Sequence, residues 1–109
     1  MCMTFYKPLN VFVFALVSDI AIYSLHQGGN NKSFTSVASQ QIQKDNEYIP
    51  TVLEVSQHRQ TGRLLVCLAA QSTKLNKHEM YDHIFMVYEF DQHNKYECKL
   101  LHKQKSAQS

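Results

Sequence analysis

The sequence predicts an all-β chain built of antiparallel strands, and three observations carry that expectation. The first is the stretch 61–90, with two apolar runs, 63–70 (RLLVCLAA) and 83–90 (HIFMVYEF), on either side of a polar segment. In the second run Phe85, Val87 and Glu89 alternate with Ile84, Met86, Tyr88 and Phe90, the period of a pleated strand. The first run is apolar throughout, as suits a strand covered on both faces. The second observation is that short apolar runs between Gly, Pro, Asn, Asp and Ser breaks recur along the chain. The third is the lack of a sustained helical period: residues 40–48 span two turns at most and carry no apolar stripe.

The elements follow in order. Residues 1–8 read as a lead-in ended by Pro8. Val11, Val13, Ala15 and Val17 alternate with Phe12, Phe14 and Leu16, so both faces of this strand are apolar. Ser18 and Asp19 have turn chemistry, and residues 20–25 form a second strand, which makes an antiparallel hairpin. Gly28, Gly29, Asn30 and Asn31 mark a loop. They lack the Lys and Ser/Thr of a phosphate-binding loop and the spacing of a dinucleotide fingerprint. Residues 33–43 permit a more exposed edge strand. Pro50 biases Ile49 to extended geometry, and 51–56 reads as the next strand. Residues 58–62 make a turn in which Gly62 is free to take positive φ. After the pair around the segment 71–82, which reads as a long loop, residues 91–95 turn into a last strand at 96–101. Residues 103–109 form a basic tail expected to be disordered.

A chain of 109 residues with 44% hydrophobic content is one domain's worth of protein with enough apolar matter for a core. Eleven Lys and Arg against nine Asp and Glu leave a formal charge of +2. That balance supports neither nucleic-acid nor membrane binding by electrostatics alone. Cys2, Cys67 and Cys98 are odd in number, widely spaced and without a CxxC pair, which argues for a reducing compartment, the cytoplasm or the nucleus. Within the stretch 9–25 the run 9–17 has the length of a signal-peptide apolar region, but Asp19 interrupts the stretch, no convincing cleavage site follows, and the uninterrupted part is too short to span a bilayer.

Two stretches resemble one another: 19–25 (DIAIYSL) and 84–90 (IFMVYEF), with Tyr23 matching Tyr88. Each follows a strongly apolar run. The order 51–56, the Gly62 turn, 63–70, 84–90 and 96–101 gives four consecutive strands. This pattern resembles a WD40-type β-propeller repeat. Tyr23-Ser24-Leu25 and Tyr88-Glu89-Phe90 stand where that family often has Trp-Asp-Leu, and the Thr61-Gly62 turn stands before the second strand. The sequence departs from the family in having no Trp, no Gly-His before a first strand, and 65 positions between the two tyrosines against about 40–45 per usual repeat. The resemblance implies propeller-like blades: a lead-in at 1–8, a module at 9–103 divided into a partial blade at 9–47 and a second blade at 48–103, and a tail at 104–109. It implies a non-catalytic protein-interaction scaffold with no cofactor, completed by a protein partner, by the rest of a propeller or by self-assembly. A self-contained small barrel or sandwich is the alternative fold.

Candidate chemistry is sparse. His78, Glu79, Asp82 and His83 have a catalytic flavour, but a zinc-protease helix needs His where Asp82 stands, and no third ligand is matched. No nucleophile elbow occurs, and Asp19, Glu54 and Glu89 read as solvent-facing acids at strand ends. A small metal-assisted hydrolase is therefore one competing class. A nucleic-acid-binding β module is the other, because Lys74, Lys77, His78 and Tyr81 combine cations with an aromatic. The same four residues are the expected partner-binding site of the scaffold reading, since loops carry contacts on rigid frames.

Overall fold

A computed structural model describes residues 1–106. The strands are β1 (Cys2–Tyr6), β2 (Val11–Ala15), β3 (Asp19–Gly28), β4 (Asn31–Gln41), β5 (Tyr48–Gln57), β6 (Leu64–Leu75), β7 (Tyr81–Asp91) and β8 (Glu97–Lys105). A single 3₁₀ turn, Lys7–Leu9, separates β1 from β2, with Pro8 in its first positions and Asn10 in the left-handed region at its end. The strands form two four-stranded antiparallel meanders, β1-β2-β3-β4 and β5-β6-β7-β8. Neither sheet closes on itself, so the barrel alternative does not hold.

Several boundaries differ from the sequence reading. Residues 2–6, expected as a lead-in, pair with β2 from Cys2 opposite Ala15 to Tyr6 opposite Val11. The first sheet is therefore a full four-stranded unit rather than a partial one. Met3 and Phe5 alternate with Cys2, Thr4 and Tyr6, and pairing to an apolar neighbour makes this short segment a strand. The segment 71–82 is not a long loop: β6 runs on to Leu75, β7 starts at Tyr81, and only five residues turn between them. Nor does the last strand stop at 101. Gln104 and Lys105 pair with Phe85 and Ile84, and Ser106 N–H donates to His83 O at 2.8 Å. The rest of the expected tail, 107–109, lies outside the described residues.

Turn chemistry falls where the residue types place it. Leu16 N–H donates to Asp19 O at 2.8 Å, which closes the β2–β3 turn. Gly29 takes φ +60° in the two-residue turn between β3 and β4. Gly62 takes φ +72° before β6, and its carbonyl accepts the side-chain amides of Gln57 (2.9 Å) and Gln92 (2.7 Å). Pro50 sits at a register shift in β5, where a residue without an N–H interrupts no ladder bond.

The core lies between the sheets. Val11, Val13, Ala15, Ile20 and Ile22 of the first sheet meet Leu64, Val66, Leu68, Ala70, Ile84, Met86, Tyr88 and Phe90 of the second. The sheets approach most closely at their first strands, β1 against β5 with β2 next, and Tyr6 Oη donates to Gln57 Oε1 at 3.0 Å across that seam. The linker 42–47 is tied down by Gln43, whose side-chain amide donates to Val17 O and to Tyr48 O.

The two sheets stack the front of one on the back of the other. Leu25 N–H donates to Asn10 O at 2.8 Å, so two steps along the register Phe12 and Tyr23 form a hydrogen-bonded pair. His58 N–H donates to Arg63 O at 2.8 Å. Odd-numbered Arg63, Leu65 and Cys67 thus turn their backbone groups to β5, and Val66 forms a hydrogen-bonded pair with Tyr88. Each tyrosine directs its N–H and C=O to the preceding strand. Each also follows a register shift against the outer strand, between Ile22 and Tyr23 in one sheet and between Val87 and Tyr88 in the other. In a chain of L-residues this phase puts both tyrosines on the same face of their respective sheets. Yet Tyr88 lies in the core at 6% exposure, while Tyr23 joins Phe12 and Phe14 on the side of the first sheet away from it.

Candidate functional site

The four residues expected to bind a partner, Lys74, Lys77, His78 and Tyr81, lie together at the tip of the β6–β7 hairpin. All four are exposed, Tyr81 at 44%. Asn76 shapes the tip: its side-chain oxygen accepts the N–H groups of His78 (2.8 Å) and Met80 (3.1 Å). Its amide donates to Asp82 Oδ1 at 3.0 Å, and its own N–H donates to Met80 O at 2.8 Å. Glu79 completes the turn in the left-handed region at φ 58°. Below the tip, Ser72 Oγ donates to Lys74 O at 2.9 Å and accepts Asp82 N–H at 2.9 Å. The linker is fastened alongside through Thr73 N–H to Glu47 O at 2.8 Å. An open polar cavity of about 490 Å³ lies between linker and hairpin, with Asp45, Glu47, Lys74 and Asp82 on its walls.

The helix that a protease-like arrangement of 78–83 requires is not formed. The segment turns and then enters a strand, so His78 and Asp82 do not share a helix face, and Asp82 is engaged by Asn76. Among the described residues no three His, Cys, Asp or Glu side chains cluster in a way that would hold a metal ion. Glu89 is paired with Arg63 at 3.0 Å, and Asp91 meets the same guanidinium at 3.5 Å. Burial pushes the Cys98 thiol up to about 11. Burial, and then the carboxylate of Glu54, also raises Cys67. Both thiols are held in the protonated, weakly nucleophilic form at neutral pH. No helix among the described residues is long and apolar enough to cross a membrane.

A second surface escaped the sequence reading. On the outward face of the first sheet, Phe5 and Phe12 stand 4.6 Å apart between ring centroids, Phe12 and Phe34 5.2 Å, and Phe14 and Tyr23 5.7 Å. Met3, at 57% exposure, and Phe34, at 56%, flank these rings. The surface carries an open apolar groove of about 410 Å³. The legible signal was Phe12 and Phe14 alternating with core residues in β2. Phe5 and Phe34 come from distant parts of the chain and join only through the register.

No protein-family model, no curated protein and no solved structure matches this chain. The functional reading therefore rests on the geometry of the hairpin tip and of the stacked sheets.

Proposed function

We propose that the chain is two adjacent blades of a WD40-type, β-propeller-like assembly and acts as a non-catalytic protein-interaction scaffold. The observation that supports it most is the shared phase and opposite surroundings of Tyr23 and Tyr88. In a radial array of four-stranded sheets, each sheet lays its front on the back of the next, and the innermost strands lie closest. The stacking of these two sheets, tightest at β1 and β5, supports that arrangement. Sheets related by a two-fold axis would turn equivalent faces toward each other. A reducing compartment, cytosol or nucleus, suits three unpaired, half-buried cysteines.

In this reading the sheets are a rigid frame and the β6–β7 hairpin tip is the contact element. Tyr81 supplies an aromatic anchor of the kind that dominates binding energy at interfaces. Lys74, Lys77 and His78 surround it and select an acidic partner surface. The experiment is the double variant Lys77→Ala, Tyr81→Ala, compared with wild type for retention of proteins from a cytosolic extract and for thermal unfolding. Retention of a specific protein should fall roughly tenfold or more, while Tm stays within about 2 °C, because both side chains are exposed. Unchanged retention with a lowered Tm would take the site away from the tip. Retention that instead tracks nucleic acid and collapses with added salt would favour a nucleic-acid module.

A further inference from the structure

Matched at their tyrosines, the two outer faces carry apolar positions that correspond to the two halves of the internal interface, with Glu54 and the Arg63–Glu89 pair also on the outer face of the second sheet. Matching the sheets at Tyr23 and Tyr88 puts Phe5, Phe12, Phe14 and Tyr23 in register with Val55, Val66, Leu68 and Tyr88. The second set faces the other sheet inside the chain, and Val66, Leu68 and Tyr88 are buried there. The first set faces outward, and no described residue covers it. The same match puts Val11, Val13, Ala15 and Ile22, which are buried, in register with Leu65, Cys67, Ala69 and Val87, which lie on the outer face of the second sheet. Phe85 is also on that outer face, at 42% exposure. One outer face thus has the form of what the other outer face is equipped to cover.

We propose that a second copy of this chain occupies the aromatic face, its β5–β8 outer surface laid on Phe5, Phe12, Phe14, Tyr23 and Phe34. The proposal rests on the paired-blade reading and names the partner that this reading leaves open. The occupant follows from the internal contact: repeating the rotation that carries the first sheet onto the second brings the outer back of one copy to the outer front of the next. Such a contact is heterologous, so it propagates until the rotation closes a ring. A propeller typically has about 4–8 blades, which at two sheets per copy corresponds to roughly two to four chains. An apolar aromatic surface left open in water would otherwise favour nonspecific association.

The experiment uses sedimentation velocity with light scattering on the wild type and on two variants, one for each face. Met3→Lys with Phe34→Lys charges the aromatic face, and Val52→Lys with Phe85→Lys charges the opposite one. All four positions are exposed, and circular dichroism with thermal melting confirms that each variant folds. The wild type should sediment as a discrete multiple of 12.6 kDa. Each variant alone should be monomeric. The two mixed should form a one-to-one dimer, because the mixture restores a single intact front-to-back contact. A wild type that stays monomeric at every concentration would overturn the proposal, as would self-association that survives in either variant. Contacts between the methyls of Val13 and Val66, read by NMR in a monomeric variant, separate the two levels. If they persist while the wild type does not assemble, self-assembly alone is lost. If they are absent, the paired-blade reading is lost with it.

Discussion

Tyr23 and Tyr88 have the same place in their sheets and opposite surroundings. Each pairs backbone to backbone with the preceding strand, opposite Phe12 and Val66 respectively, and each follows a register shift against the outer strand. Tyr88 is buried between the sheets, with its hydroxyl against Met86 Sδ at 3.5 Å. Tyr23 sits beside the Phe14 ring on the far side of the first sheet.

Tyr88→Ala removes a large side chain from a packed interior and should cost about 3–5 kcal/mol, the range for truncating a buried aromatic. Tyr23→Ala trims a half-covered ring and should cost about 1 kcal/mol in a monomeric background. Urea unfolding of both variants checks this, and equal losses would contradict the opposite placement.

Gly62 and Gly28 make a paired test of backbone conformation. Gly62 has φ +72° with open space where a Cβ would stand, so only the backbone resists substitution. Gly62→Ala should destabilise by about 1–2 kcal/mol. Gly28 has similar open space and no left-handed φ, so Gly28→Ala should be neutral or stabilising by up to about 1 kcal/mol. Denaturant midpoints distinguish the two.

Asn76 holds the hairpin tip through bonds to His78, Met80 and Asp82. Asn76→Ala should loosen the turn at a cost of about 1–2 kcal/mol or less. Amide exchange from 76 to 82 should speed up while β2 and β3 stay protected. Unchanged exchange at the tip would show that the backbone turn stands without its side-chain braces.

Alkaline pH should weaken the fold. Burial raises the Cys98 thiol to about 11 from an ordinary 9.0, and Cys67, Tyr88 and Tyr96 are raised in the same direction. For each group the folded chain holds its proton more tightly than the unfolded chain. The associated stability is complete below the unfolded pKa and is lost as pH climbs through the folded one. For Cys98 that window runs from 9.0 to about 11. Urea midpoints should fall across it, and Cys98→Ala should flatten part of the fall. Midpoints that rise with pH would reverse the sign and contradict burial as the cause.

The strands of the second sheet were legible because Ile84, Met86, Tyr88 and Phe90 keep strict period 2, and all four are buried. Strand β1 was not, because five residues before a proline carry little pattern until Phe5 meets Phe12. The hairpin 71–82 looked like a loop because Gln71, Ser72, Thr73 and Lys74 are polar, yet Leu75 pairs with Tyr81 and Thr73 N–H is tied to Glu47 O of the linker. Lys74, Lys77, His78 and Tyr81 were found together because they are close in sequence. The aromatic face was hidden for a different reason. Both faces of β2 are apolar, so alternation alone does not say which one turns inward.

Whether the front of one sheet lies on the back of the next is read from interresidue NMR contacts in the monomeric Met3→Lys, Phe34→Lys variant. Methyls of Val11, Val13 and Ile22 should contact those of Leu64, Val66 and Leu68, while the rings of Phe12 and Phe14 contact nothing in β5 to β8. Contacts from Phe12 or Phe14 to Val66, Met86 or Tyr88 would mean that equivalent faces turn inward, and front-to-back stacking would be refuted.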